Sequence, residues 1–177
     1  MHPFQTRPLP QFLLGTGLNV GIIVGLRPSA MFYVGIVGVT SAAMWMPYLM
    51  ALIYYGTDKG KPLSGLYKKL AYHPDIHALL SSKGALPKWV KRAMVAHNNS
   101  LENFMLFATS VFFALAMQVA EADIRNAAML YFVFRTYYWV FTVAPEIFML
   151  KTAFWCMGWG CVTYIFILGC AKTQPAW

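Results

Sequence analysis

Four stretches of this chain are long and apolar enough to cross a lipid bilayer as α-helices. Crossing about 30 Å of hydrocarbon takes about 20 mostly apolar residues, because each backbone N–H and C=O group must find its partner inside the helix. The first stretch carries no charged residue, and the other three carry one each, namely Glu102, Arg135 and Lys151. The four predicted spans are residues 30–56, 101–120, 126–145 and 147–171.

A fifth apolar segment, residues 9–26, precedes these spans and is uncharged, short and rich in glycine. We predict a helix here that is buried, re-entrant or partly spanning. Gly17, Gly21 and Gly25 recur every four residues, so on a helix they would share one face and favour a close contact with another helix. A flexible lead-in to the first span is the alternative interpretation.

The overall composition supports an integral membrane protein. Hydrophobic residues make up 59% of the chain and charged residues only 11%, with a mean hydropathy of +0.53. An ordinary soluble domain has about 25% charged residues. The predicted fold is therefore all-α: an integral membrane four-helix bundle, residues 30–177, preceded by an N-terminal extension, residues 1–29, that holds the extra apolar segment.

The net charge of +8 comes mainly from one polar segment, residues 57–92. Basic segments beside membrane spans tend to face the cytosol or the matrix, so we interpret this excess as topological. We expect membrane lipids and other membrane subunits as partners, and no nucleic acid. The early residues lack the dense arginine and serine of an import signal, which leaves the mitochondrial inner membrane and the endoplasmic reticulum as expected locations. The basic residues of the segment are Lys59, Lys61, Lys68, Lys69, Lys83, Lys88, Lys91 and Arg92.

Polar residues enter the second predicted span from its N-terminal side. At about 100° per residue, Arg92, Asn99, Glu102 and Asn103 fall on one helical face, which Val95 interrupts. Polar groups at membrane depth are expensive to maintain. Such a face predicts either a binding site or a polar contact with another helix.

A matching polar stripe occurs on the third predicted span, where Tyr131, Arg135, Tyr138 and Thr142 recur at spacings of four, three and four. An arginine near mid-membrane needs a carboxylate, carbonyl groups or water, because an unpaired charge there costs at least about 2–3 kcal/mol. We predict Glu102 as the partner of Arg135, although Glu102 lies nearer the predicted membrane boundary. The pair would either serve a ligand or simply tie two helices together.

Together the two stripes resemble the signatures of the MAPEG family, the membrane-associated proteins of eicosanoid and glutathione metabolism. The matching residues are Arg92-Ala-x-x-Ala-His97-x-Asn99-x-x-Glu102-Asn103, then Arg135-x-x-Tyr138, then Lys151-Thr152. The resemblance implies a left-handed four-helix bundle, usually a homotrimer, with glutathione held between neighbouring subunits. Family enzymes conjugate glutathione to lipid epoxides, reduce hydroperoxides or isomerise endoperoxides.

The resemblance also implies roles for particular residues. Lys151 would stabilise the glutathione thiolate, which is the nucleophile, because a nearby cation favours the ionised thiol. Tyr138 would belong to the same catalytic set. The residues implied to bind glutathione are Arg92, Asn99, Glu102 and Arg135.

Four positions depart from the family pattern. Val95 and Thr142 stand where an arginine and a tyrosine are common, and Lys151 replaces an arginine. Asn98 stands where some members have a further arginine. Neither valine nor asparagine can hold a carboxylate with the planar two-point contact of a guanidinium. The departures therefore predict a degenerate glutathione site, in which Lys151 still supplies a point charge.

No other group of residues in the sequence predicts a metal site or a catalytic site. His73 and His77 are spaced for one helical face, but Pro74 disfavours a helix for His73 and no further ligand converges, so we expect no metal site. We expect His97 to make a hydrogen bond at the helix entry. The three cysteines fit neither a zinc site nor a disulfide framework and are interpreted as small buried hydrophobes: Cys156, Cys161 and Cys170.

These observations favour a non-catalytic accessory subunit of a larger membrane complex, such as a respiratory-chain or other energy-converting assembly, without a cofactor. The alternative is an enzyme, a microsomal-type glutathione transferase or peroxidase that acts on lipophilic substrates with glutathione as co-substrate. A lipid- or small-molecule-binding membrane protein without turnover is a third hypothesis that has no distinct sequence signal.

Overall fold

The computed structural model describes residues 28–43, 46, 88–143 and 147–173. Within these ranges the chain forms α-helices and no strand, so the predicted all-α four-helix bundle is confirmed. The apolar segment 9–26, most of the basic segment and the pair His73 and His77 lie outside the described residues. The helices are α1, Ala30–Ala43; α2, Lys88–Ala116; α3, Glu121–Val143; and α4, Phe148–Lys172.

Helix α2 begins well before the predicted span 101–120, because neighbouring helices satisfy its polar first half. Arg92 Nη2 donates to the carbonyl oxygen of Val143 at 3.1 Å, where α3 ends. His97 Nδ1 lies 3.0 Å from the carbonyl oxygen of Ser41 in α1, and since a carbonyl only accepts, Nδ1 carries the proton of that bond. Glu102 consequently lies in the middle of a long helix.

Two inter-helix contacts mark the opposite ends of the bundle. The Arg92 end is where α2 and α4 begin and α3 ends. At the other end, the Glu121 end, α1 and α3 begin and α2 ends. There the backbone N–H of Ala30 donates to Glu121 Oε1 at 3.3 Å. A carboxylate at this place satisfies one of the free N–H groups at the start of α1 and complements the dipoles of both helices.

The turn between α2 and α3 ends the first helix with a left-handed residue. Gln118 has φ 58°, and its N–H donates to the carbonyl of Leu115 at 3.0 Å. The N–H of Val119 reaches back to the carbonyl of Ala114 at 3.1 Å. This is the Schellman arrangement, with Val119 buried beneath the turn. It reverses the chain in a few residues and makes α2 and α3 antiparallel neighbours.

The core of the bundle is aromatic where α2 meets α3. The rings of Phe107 and Tyr131 stack with centroids 4.0 Å apart and planes inclined by 7°. Tyr33 of α1, Ile124 of α3 and Ile165 of α4 are fully buried around this pair. All four described helices therefore contribute to one core.

Helix α4 comes close to α2 at Gly169, and this contact carries a prediction. A Cβ on Gly169 would lie 2.5 Å from a ring carbon of Phe113, whereas a Cβ on Gly35 would meet nothing within 4 Å. We expect Gly169→Ala to lower the free energy of unfolding by about 1–2 kcal/mol, because the Phe113 ring must move in a packed interface. Unfolding of the two alanine variants in the same detergent checks this. Equal stability of Gly169→Ala and Gly35→Ala would contradict it.

Among the described helices, Phe148–Lys172 is long and apolar enough to cross a membrane by length and composition, and Ala30–Ala43 is a shorter apolar helix.

The exposure of the cysteines on α4 corrects one expectation. Cys161 is buried, as predicted, but Cys156 and Cys170 are exposed. They lie on the face of α4 that turns away from the other helices, so burial was wrongly assigned to them.

Candidate functional site

Arg135 lies in the second half of α3 with only 5% of its surface exposed. Its Nη2 donates to Asn99 Oδ1 at 3.1 Å and to Ser100 Oγ at 3.2 Å, both on α2. Two neutral oxygen atoms therefore accept hydrogen bonds from a buried, charged guanidinium. Such charge-assisted hydrogen bonds are roughly twice as strong as neutral ones.

The two acceptors are themselves held in place by α2. Asn103 Nδ2 donates to the backbone oxygen of Asn99 at 2.7 Å and to its Oδ1 at 3.3 Å. Ser100 Oγ donates to the carbonyl of Ala96 at 2.7 Å, which leaves a lone pair for Arg135. Asn99 thus presents its oxygen, and not its amide nitrogen, to the guanidinium.

Aromatic rings and a glycine complete the surroundings of Arg135. The guanidinium carbon lies 4.6 Å from the centroid of the Tyr138 ring, within cation–π range. Tyr131 donates its hydroxyl to the carbonyl of Asn103 at 3.1 Å. On α4, a Cβ at Gly158 would lie 3.5 Å from Cδ of Arg135, so that helix packs on the aliphatic stem. We call Asn99, Ser100, Asn103, Arg135 and Tyr138 the Arg135 cluster.

The predicted ion pair between Arg135 and Glu102 does not form, and Glu102 is exposed. The reason is the angle around α2. Ser100 and Glu102 are two positions apart along the chain, which places their side chains about 160° apart around the helix. Because Ser100 faces Arg135, Glu102 faces outward.

Glu102 and Arg135 also lie at similar heights along the bundle. The bond between Arg92 and Val143 puts those two residues at one level. With a rise of about 1.5 Å per residue, Arg135 lies about 12 Å and Glu102 about 15 Å below that level. The two charged residues are therefore at similar depth on different sides of the bundle.

The remaining candidate residues lie apart from the Arg135 cluster. Arg92 is at the end of the bundle, on the carbonyl of Val143. Lys151 is half-buried in the first turn of α4, with Nζ 5.5 Å from the centroid of the Phe148 ring. Thr142 is buried and donates to the carbonyl of Tyr138 in its own helix at 2.7 Å. Val95, where the resemblance implies an arginine, is 57% exposed.

Ser100 is the member of the Arg135 cluster that neither polar stripe in the sequence included. Its signal is a second face of α2, made mostly of small or polar residues that turn toward the core. These residues are Ala93, Ala96, Ser100, Asn103, Phe107 and Ser110, all buried. Their spacing of three and four residues marks a face that packs closely on other helices.

A comparison with protein families places the chain. The model of the MAPEG family matches residues 35–171, from the second turn of α1 to the last turn of α4. The chain belongs to the MAPEG family. Neither a curated protein nor a solved structure matches it with significant similarity.

Membership of the MAPEG family makes this a membrane protein, in agreement with its composition and its apolar fourth helix. The matched range includes every candidate site residue on α2, α3 and α4.

Arg135 is engaged within the bundle in this MAPEG chain. Its side chain is 5% exposed, and its Nη2 already donates to Asn99 and Ser100. Val95 offers no donor, and Glu102 points away from Arg135. The Arg135 cluster is a polar contact between α2 and α3 of one chain.

Proposed function

We propose that this MAPEG-family protein is a non-catalytic accessory subunit of a larger membrane complex, such as a respiratory or other energy-converting assembly of the mitochondrial inner membrane. The observation that carries the proposal is the use of Arg135 within its own chain. Its Nη2 donates two hydrogen bonds, to Asn99 and Ser100. A residue used in this way stabilises the bundle and does not need a ligand.

The outward position of Glu102 supports assembly with other protein. A carboxylate within a membrane span is unfavourable against lipid and typically faces protein or water. Its exposed neighbours on the outward face of α2 are Asn98 and three apolar residues, Val95 57%, Met105 66% and Leu106 41%. We call Val95, Glu102, Met105 and Leu106 the Glu102 face. A mainly apolar surface with one carboxylate suits a protein partner that supplies a donor.

The alternative is a glutathione transferase or peroxidase with lipophilic substrates. It is favoured by the meeting of Asn99, Arg135 and Tyr138 at one place, since the resemblance implies a role for each. It requires Lys151 to act on the thiolate and the Arg135 cluster to open for the tripeptide.

Gentle solubilisation of the native membrane separates the two functions. We expect the protein to migrate with a complex much larger than a trimer of the 19.9 kDa chain, and to show no glutathione binding by calorimetry after purification. Lys151→Ala should leave that migration unchanged, because an accessory subunit has no thiolate to stabilise. A small free oligomer that binds glutathione and conjugates a lipid epoxide, with loss of turnover in Lys151→Ala, would overturn the proposal.

A further inference from the structure

The carboxylate of Glu102 is not used by the bundle itself. It is exposed, and no residue in the described ranges donates a hydrogen bond to it or forms an ion pair with it. Glu121, at the other end of the bundle, differs in this respect, because its carboxylate accepts the backbone N–H of Ala30. The charge of Glu102 is therefore available to a group from outside the described part of the chain.

Glu102 is the one charged residue on a long exposed strip of α2. The strip includes the Glu102 face and continues to Phe112, which is also exposed. It spans 17 residue steps from Val95 to Phe112, which corresponds to about 26 Å along the helix. Its other polar members are neutral, namely Asn98 and Thr109, both exposed. A single charge thus stands between apolar side chains on either side along the helix axis.

A protein segment that covers this strip inside a bilayer must be a helix. Backbone N–H and C=O groups find no water in the hydrocarbon, so a spanning segment beside a helical bundle satisfies them within its own helix. A span of about 20 residues is about 30 Å long. One helix of a neighbouring subunit is therefore long enough to cover the whole strip from Val95 to Phe112.

The charge of Glu102 selects the residue that such a helix presents. Packing a partner helix on the strip removes water from the carboxylate, which is costly unless an opposite charge faces it. Ionisable residues inside membrane proteins typically pair with one another for this reason. Asn98, one turn from Glu102, offers only a neutral amide. A lysine or arginine of the partner supplies the missing charge.

A second copy of this chain offers no such cation on the described helices. Copies with the same orientation in a membrane present the same residues at the same height, and Lys91 lies about 16 Å from Glu102 along α2. An added Cβ at Gly169 would lie 3.5 Å from Cα of Ala114, and this register puts Lys151 about 9 Å nearer than Glu102 to the Arg92 end. The guanidinium of the Arg135 cluster is buried. These heights favour a different subunit as the source of the cation.

We propose that the Glu102 face binds a membrane-spanning helix of a different subunit, and that a lysine or arginine of that helix forms an ion pair with Glu102. The inference rests on the proposed accessory function, because the larger complex supplies the partner. It adds the structural class of the partner and the side chain that the partner must carry.

Photo-crosslinking in the native membrane identifies what covers the Glu102 face. Met105 lies about one turn from Glu102 and is 66% exposed, and Val39 on α1 is similarly exposed at 69%. We expect Met105→p-benzoylphenylalanine to crosslink to one span of another subunit, with a lysine or arginine within about one turn of the crosslinked residue. Val39→p-benzoylphenylalanine is the matched control and should not capture that span.

A charge exchange then tests the ion pair itself. Glu102→Lys should lower the fraction of protein that migrates with the large complex by at least about tenfold, because like charges then face each other across the interface. Changing the basic residue of the captured span to glutamate should restore most of that migration. Asp123→Lys is the matched control, since Asp123 is an exposed carboxylate at the other end of the bundle, and it should leave migration unchanged.

Failure of this inference differs measurably from failure of the accessory function. A protein that migrates with the large complex, but crosslinks at Met105 to a second copy, to lipid alone or to a span without a basic residue, overturns the partner assigned here. Absence of rescue in the charge exchange overturns the ion pair. A protein that migrates as a small free oligomer overturns both the accessory function and the inference that rests on it.

Discussion

Removing both acceptors of Arg135, by Asn99→Leu together with Ser100→Ala, is expected to lower the free energy of unfolding by about 3–5 kcal/mol. The guanidinium is buried, and Asn99 Oδ1 and Ser100 Oγ accept its hydrogen bonds at 3.1 and 3.2 Å. Without them a full positive charge stays in the interior with little compensation. Denaturant unfolding of the purified protein in mixed micelles measures the loss.

Adding Arg135→Leu to that variant should recover most of the lost stability. Replacing a whole buried polar unit by apolar residues is often nearly neutral, whereas breaking it from one side is not. Asn98→Leu is the matched control, because Asn98 is exposed beside Asn99, and it should change stability by less than about 0.5 kcal/mol. If Arg135→Leu fails to rescue the acceptor variant, the guanidinium is not what Asn99 and Ser100 stabilise.

Glu102→Leu is expected to weaken assembly while leaving the bundle folded. The carboxylate contacts no residue of the Arg135 cluster and is exposed at similar depth to Arg135. Truncating a charge that is paired across a protein interface lowers affinity by at least about tenfold. The fraction of the protein that migrates with the large complex in a native gel of solubilised membranes gives the measure.

A second variant on the Glu102 face separates loss of charge from general disturbance. Met105→Leu changes an exposed apolar residue into another of similar size, and it should leave migration unchanged. Glu102→Gln keeps the shape and a hydrogen-bonding side chain and should have an intermediate effect. Wild-type migration of Glu102→Leu would show that no partner binds this carboxylate.

The polar stripe of α2 has two uses, one in folding and one in the proposed assembly. On α2, Asn99 and Asn103 turn into the bundle and serve folding, while Val95 and Glu102 turn outward. In the family resemblance Val95, Asn99 and Glu102 stand at positions of a single glutathione site. Here the inward half is closed by Arg135, and the outward half keeps one charged residue on an apolar face. This division supports an inherited scaffold whose exposed side meets other protein.

Hydropathy and helical periodicity were sufficient for the fold class, and the resemblance of the motif residues on α2, α3 and α4 was sufficient for the family. The predicted third and fourth spans, 126–145 and 147–171, agree closely with α3 and α4. The start of α2 was less predictable, because the polar residues before Leu101 suit a loop as well as a helix. They are helical because Arg92 and His97 bond to carbonyls of α3 and α1, which are distant in the chain.

The polar partners were harder to predict than the helices. Residue type singled out Arg135 and Glu102 as opposite charges on neighbouring spans, and that pairing was wrong. A neutral asparagine and serine were overlooked as acceptors because they carry no charge. The division into an extension, 1–29, and a bundle, 30–177, stays a prediction.

The amino-acid pattern alone determined that the chain is a helical membrane protein with a buried arginine, since long apolar runs and a 3.6-residue period admit few other structures. Only the packed helices decided which side chains that arginine meets. Ser100 and Glu102 are two residues apart in the chain but about 160° apart around α2. The rotation of α2 against α3 places Ser100 at Arg135 and Glu102 on the outer face.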